Sequence, residues 1–142
     1  MSATTEQNAR LLIRNLNARN VEIVLAQYAE DASFQDPSMS IPIRGKDAIR
    51  AHLKGSFGAF PDWRMVVSKL IISGGETIVV NSVQGTHTGP WSRSDGGQTA
   101  PTNRKFTQEQ LTRVMFNATD KIQSFRAYGN PADVTRQLGI SA

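Results

Sequence analysis

Apolar residues recur at helical spacing near the N-terminus: Leu11, Leu12 and Leu16, then Val21, Val24, Leu25 and Tyr28, with Asn17-Ala-Arg-Asn20 interrupting them. The pattern predicts two helices between about Thr5 and Ala29, with Asn20 as N-cap of the second. A short strand is expected over Ala32 to Asp36, closed by Pro37, which has no backbone donor to offer a sheet. A third helix starts near Lys46, carries Ile49, Leu53 and Phe57 on one face, and stops at Phe60-Pro61.

Beyond Pro61 the period becomes that of strands. Trp63 to Ser73 alternates with a phase break that predicts a bulge, Gly74-Gly75 turns the chain, and Glu76 to His87 returns. Thr88 to Asn103 holds three Gly and two Pro with little apolar content, which reads as a long mobile loop bordering a site. Lys105 to Phe116 and Lys121 to Tyr128 form a second strand pair around Asn117-Ala-Thr-Asp120. Asn130-Pro131 reads as the start of a short terminal helix. Three N-terminal helices packed on a cone-shaped curved antiparallel sheet make an α+β fold whose cavity opens at one end.

Length and composition narrow the function. At 142 residues, 39% apolar and 20% charged, the chain is expected to be a single domain over 1–142. No apolar run approaches the roughly 20 residues of a spanning helix, and Met-Ser-Ala-Thr-Thr-Glu-Gln is not a signal peptide, so no membrane association and a cytoplasmic location are expected. Without cysteine there is no disulfide, thiolate nucleophile or cysteine zinc site, and two distant histidines, His52 and His87, argue against a metal centre. The net charge of +4 is scattered rather than clustered, which argues against nucleic acid as a partner.

Tyr28 to Pro37 leading into Arg44-Gly45-Lys-Asp-Ala-Ile49 resembles the nuclear transport factor 2-like superfamily, whose fold is also described as cystatin-like. Phe60-Pro-Asp-Trp63, Gly85-Thr-His-Thr-Gly-Pro90, Ala100-Pro-Thr-Asn-Arg-Lys-Phe106 and Gln137-Leu-Gly139 resemble, within it, the SnoaL-like polyketide cyclases, from about Asn8 to the end of the chain. The resemblance implies ring closure by intramolecular aldol chemistry, without metal or cofactor, through one buried aspartate. The family's Tyr-x-Asp falls on Tyr128-Gly129-Asn130, and an amide cannot shuttle a proton near neutral pH. Asn103 stands where the family commonly has glycine. Asp36-Pro37 also resembles the base of ketosteroid isomerases, but that family's oxyanion donors fall near Leu12 and Thr112, which argues against steroid isomerisation.

The expected function is cofactor-independent acid/base chemistry (ring closure, isomerisation, dehydration or hydrolysis) on a hydrophobic carbonyl-bearing small molecule in the cone. The alternative is a non-catalytic binder or dimerisation module, with an epoxide-hydrolase-like enzyme as a third reading. Asp36 is the candidate base, His87 the acid or enolate stabiliser, and Asn130 an orienting amide or the cap of the terminal helix. Trp63, Trp91, Gln108, Arg126 and Tyr128 are the candidate substrate contacts, with Gln110 a further strand residue able to point inward. Phe60, Phe106 and Phe116 are read as core, Asp62 and Asp133 as cap or surface carboxylates. His52, beside Arg50 and Lys54, is assigned to a solvated helix face. A homodimer is expected through the outer sheet face, with Val66, Ile71, Val79 and Val114 as its apolar residues.

Overall fold

The computed structural model describes residues 2–92 and 96–140. Helix α1 (Ser2–Ala18) buries Ala9, Leu12 and Leu16. Its end is fastened to the sheet by Asn17, whose amide donates to Met65 O (3.0 Å) and whose Oδ1 accepts from Met65 N (2.7 Å). Helix α2 (Val21–Ala26) begins at Asn20, whose Oδ1 accepts from Ile23 N as predicted.

Strand β1 (Tyr28–Gln35) starts four residues earlier than expected, and Tyr28 belongs to it rather than to the helix. The cause is tertiary: Ile122 N donates to Gln27 O (2.7 Å), and the chain is captured beside β8 (Ile122–Tyr128) before the helical period runs out. After β2 (Ile43–Arg44), α3 (Lys46–Ala59) runs to Phe60 and packs Ile49 and Leu53 inward. Strands β3 (Arg64–Ser73) and β4 (Glu76–Thr86) form the predicted hairpin, with Gly74 at φ 59° in the turn and the expected bulge between Val67 and Lys69. The loop beyond contains two short paired strands, β5 (Trp91–Ser92) and β6 (Gln98–Thr99); residues 93–95 lie outside the described ones. Asn103 has φ 59°, a left-handed conformation that asparagine tolerates and glycine favours. Strands β7 (Lys105–Phe116) and β8 and helix α4 (Ala132–Leu138) complete the chain.

The main sheet runs β2-β1-β8-β7-β4-β3. It is mixed rather than wholly antiparallel, because β1 and β8 pair in parallel. All helices contact the sheet or each other, and the core lies between them and its inner face. Val79 and Val114, expected on the outer face, are 2% and 1% exposed on the inner one. Strand alternation decides this: Val79 shares its face with Thr77, Asn81 and Val83, all buried. The outer face instead exposes Val66, Ile71, Leu111, Met115 and Tyr128. No described helix is long and apolar enough to cross a membrane.

Candidate functional site

A cavity of about 190 Å³ opens between the inner sheet face, α3 and α4. Its walls are aromatic. Phe34 and Phe125 stack at 4.8 Å, Phe57 tilts on Trp63 at 5.5 Å, and Phe60 meets Trp91 edge-on at 5.3 Å. Such pairs contribute roughly 0.5–1.5 kcal/mol each beyond their burial, enough to hold the walls in place. Phe60 and Phe106, read from sequence as core, line the cavity as well as the core.

Among the described residues, two titratable side chains line this cavity, Asp36 and His52. His52 Nε2 lies 2.9 Å from Asp36 Oδ2, and the two side chains are 20% and 22% exposed. Asp36 Oδ1 accepts from the Ser38 backbone N–H (2.9 Å) and hydroxyl (2.6 Å). Burial pushes the Asp36 carboxyl up, but the hydrogen bond and charge of His52 and the two Ser38 donors together outweigh it and hold the group below its ordinary value. His52 also tilts against Phe34, with ring centroids 4.9 Å apart.

The solvated position expected for His52 is therefore corrected. The signal was present in the helical stripe: Ile49, His52, Leu53, Ser56 and Phe57 follow i, i+3, i+4, i+7, i+8, so His52 lies on the inward side of α3. Its charged sequence neighbours, Arg50 and Lys54, fall on other sides of the helix, with Arg50 paired to Glu22 and Asp47.

The other expected residues divide. Trp63, Trp91, Gln108 and Gln110 line the cavity. His87 does not. It is fully buried behind the wall, its ring 5.3 Å from Phe60 and 6.1 Å from Trp91. The Thr102 N–H donates to its Nδ1 (3.2 Å), so the proton of the neutral ring sits on Nε2, a buried atom with no hydrogen bond of good geometry. Burial pushes the His87 imidazole down, opposed only in part by the Gly89 backbone. Asn130 is exposed and stands outside the lining; its Oδ1 accepts from Ala132 N (3.0 Å) at the start of α4, the capping role considered for it. Arg126 and Tyr128 lie on the outer face, the guanidinium 4.5 Å from the ring centroid. Asp62 accepts two hydrogen bonds from Thr86, and Asp133 pairs with Arg136, both structural arrangements. Among the described residues, no group of three or more His, Cys, Asp or Glu side chains is placed to hold a metal.

Because His87 is held neutral, folding stability is full above the usual imidazole value of 6.5 and is lost as pH falls below it toward the lower folded value. Urea unfolding at pH 7.5 and 5.5 is expected to show a drop in midpoint that His87→Gln reduces. An equal drop in the variant would place the titrating group elsewhere.

Solved structures share this architecture. A protein from Jannaschia sp. CCS1 assigned as a SnoaL-like polyketide cyclase superposes with a TM-score of 0.84 at 13% identity, over 99% of this chain and 95% of that one. AclR from Streptomyces galilaeus, assigned as a hydroxylase, gives 0.81 at 15% identity over 100% and 89%. SalBIII, an epoxide hydrolase/cyclase-like enzyme of pyran ring formation in salinomycin, gives 0.76 at 16% over 91% and 92%. At these identities the likeness is one of fold, the nuclear transport factor 2-like cone. No curated protein sequence matches the chain. The sequence model of the SnoaL-like domain matches residues 9–125, which takes in α1 from Ala9 on, all of α2, the Asp36–His52 pair and the sheet through Phe125. On that match the chain belongs to the SnoaL-like domain family.

Proposed function

We propose that the protein is a cofactor-independent acid/base enzyme that moves a proton at carbon next to a carbonyl, on a hydrophobic small molecule held in the cavity. The observation that carries this is the 2.9 Å Asp36–His52 pair on the wall of an otherwise aromatic and amide-lined cavity. Asp36 has donors on both oxygens and a lowered pKa, so it stays ionised and is by itself a weak proton acceptor. The imidazole is the better match to neutral pH. Asp36 holds His52 Nε2 and fixes the ring, and the other nitrogen, Nδ1, takes the proton. The C–H bond breaks as N–H forms, its electron pair moves to the carbonyl oxygen, and the imidazolium, steadied by the carboxylate, returns the proton to carbon or to a leaving oxygen. His52 thus takes the base role that the sequence suggested for Asp36 and the acid role it suggested for His87, while Asp36 orients the ring and His87 acts on the site through Phe60 and Trp91 as a positioning residue.

A second reading, a binder of the same class of molecule, is favoured by Asn130, whose side chain is spent on capping α4. Native mass spectrometry of the purified protein, followed by a turnover test of any ligand carried through, separates the two. A held molecule that is converted supports the enzyme, and one that is never converted supports the binder.

The exposed Val66, Ile71, Leu111 and Met115 lie on one sheet face and fit a second copy of the chain. Sedimentation at micromolar concentration is expected to give the mass of two chains. A mass of one chain would refute the dimer.

A further inference from the structure

Four polar side chains on the inner sheet face form a single hydrogen-bonded series. Thr112 Oγ1 donates to Asn81 Oδ1 (2.9 Å), Asn81 Nδ2 to Gln110 Oε1 (3.3 Å), Gln110 Nε2 to Gln108 Oε1 (2.9 Å), and Gln108 Nε2 to the backbone carbonyl of Asn130 (2.8 Å). The last link sets the direction of all the others. A backbone carbonyl only accepts, so Gln108 must present its NH2 to Asn130 and its oxygen to Gln110. Gln110 must then present its oxygen to Asn81, and Asn81 its oxygen to the threonine hydroxyl. Asn130 thus acts here through its main chain, as the anchor of an amide relay.

Each amide nitrogen in the relay uses one of its two hydrogens. Gln108 and Gln110 both line the cavity, so each carries a spare donor there, on an oxygen-poor aromatic wall. Their carbonyl oxygens are already engaged as acceptors within the series. The cavity therefore offers fixed donors to a ligand acceptor. Its titratable groups among the described residues, Asp36 and His52, satisfy each other, so a charged ligand would meet no free counter-charge from the described lining. Size adds a limit. An apolar cavity of about 150 Å³ takes one benzene ring, and a four-ring skeleton of about 20 heavy atoms needs roughly 300–400 Å³ at interior packing density. This cavity holds about 190 Å³.

We infer that the substrate is a neutral, flat, one- or two-ring carbonyl compound whose oxygen is held by the spare N–H groups of Gln108 and Gln110. The inference rests on the proposed acid/base reaction for its chemistry, and its binding part is testable alone. Both tryptophans of the chain, Trp63 and Trp91, line the cavity, so intrinsic fluorescence reports occupancy. The probes are 1-indanone and 1-tetralone, the hydrocarbons indane and tetralin, and the four-ring androst-4-ene-3,17-dione.

The ketones are expected to bind at least about tenfold more tightly than their hydrocarbons, the worth of one buried hydrogen bond, and at least about tenfold more tightly than the four-ring enone. Gln110→Met should bring the ketone-to-hydrocarbon ratio to within about threefold. Equal binding of ketone and hydrocarbon by the unaltered protein, equal binding of the four-ring enone, or no binding of either two-ring ketone at millimolar concentration would each overturn the inference without reference to any variant. Ketones that bind as expected but exchange no α-hydrogen with solvent would leave the ligand class standing and remove the acid/base reading.

Discussion

Replacing His52 by glutamine is expected to lower proton transfer to a bound ketone by about 10³-fold, the range that a positioned acid/base contributes. The fold should survive, because glutamine keeps a donor for Asp36 and the side chain sits at the cavity wall rather than in the core. Asp36→Asn should cost about as much, since the ring loses the carboxylate that orients it and steadies its charged form. The double variant should be little worse than either single one, because two residues acting as one unit are not additive. Rates at saturating ketone, with unfolding midpoints as the control, measure all three. Additive losses would mean that the two side chains act separately. The rate should also fall on the acid side. The folded Asp36 value lies below the ordinary 3.8, so the carboxylate and the stability it adds are present above that value and are lost as pH falls through the lower folded one.

Gly89→Ala is expected to destabilise the protein by about 3 kcal/mol, a severe overpacking effect. A Cβ at Gly89 would lie 2.0 Å from Gly58 O and 3.0 Å from Gly58 C, backbone atoms at the end of α3 that cannot swing aside. The same junction carries two hydrogen bonds, from Thr88 N and Gly89 N to Ala59 O, each 3.1 Å, so relieving the clash breaks the tie between the loop and the helix. Trp91 follows two residues later, so the cavity wall should loosen with the loop. The melting temperature should fall by roughly 10 °C. Gly58→Ala is the internal control. Nothing lies within 4 Å of its added Cβ, and alanine in a helix interior is worth up to about 1 kcal/mol over glycine, so this variant should be neutral or more stable. Equal effects at the two positions would contradict the packing described.

The course of the chain was largely legible. The helical stripes of α1 and α3, the Asn20 cap, the bulge after Val67 and the Gly74 turn all follow from local rules that the tertiary structure does not oppose. Local rules failed where long-range pairing decided. Tyr28 continues a helical period, yet the parallel pairing with β8, about 95 residues away in sequence, draws it into a strand. Val79 and Val114 were assigned to the wrong sheet face because composition does not give the phase of a strand, and one residue of phase inverts every side chain.

The candidate site was half legible for similar reasons. Asp36, Trp63, Trp91 and Gln108 line the cavity as expected, and of the two histidines it is His52, not His87, that joins them. The charged sequence neighbours of His52 point it to solvent, whereas its place in the stripe of α3 turns it inward. The titration range of an imidazole points His87 to a site, whereas burial keeps it neutral behind Phe60 and Trp91, with the Thr102 N–H on Nδ1. Nor does sequence reveal that the Asn130 main chain, not its side chain, reaches Gln108.

The central claim is that the Asp36–His52 pair moves protons on a bound carbonyl compound. The direct test is incorporation of deuterium from D₂O at the α-carbon of 1-tetralone, followed by NMR with the protein in excess so that the ketone is occupied. Exchange is expected to be at least about 10³-fold faster than in buffer, falling by a similar factor in His52→Gln. A ketone fully bound, yet exchanging no faster than in buffer, would contradict it.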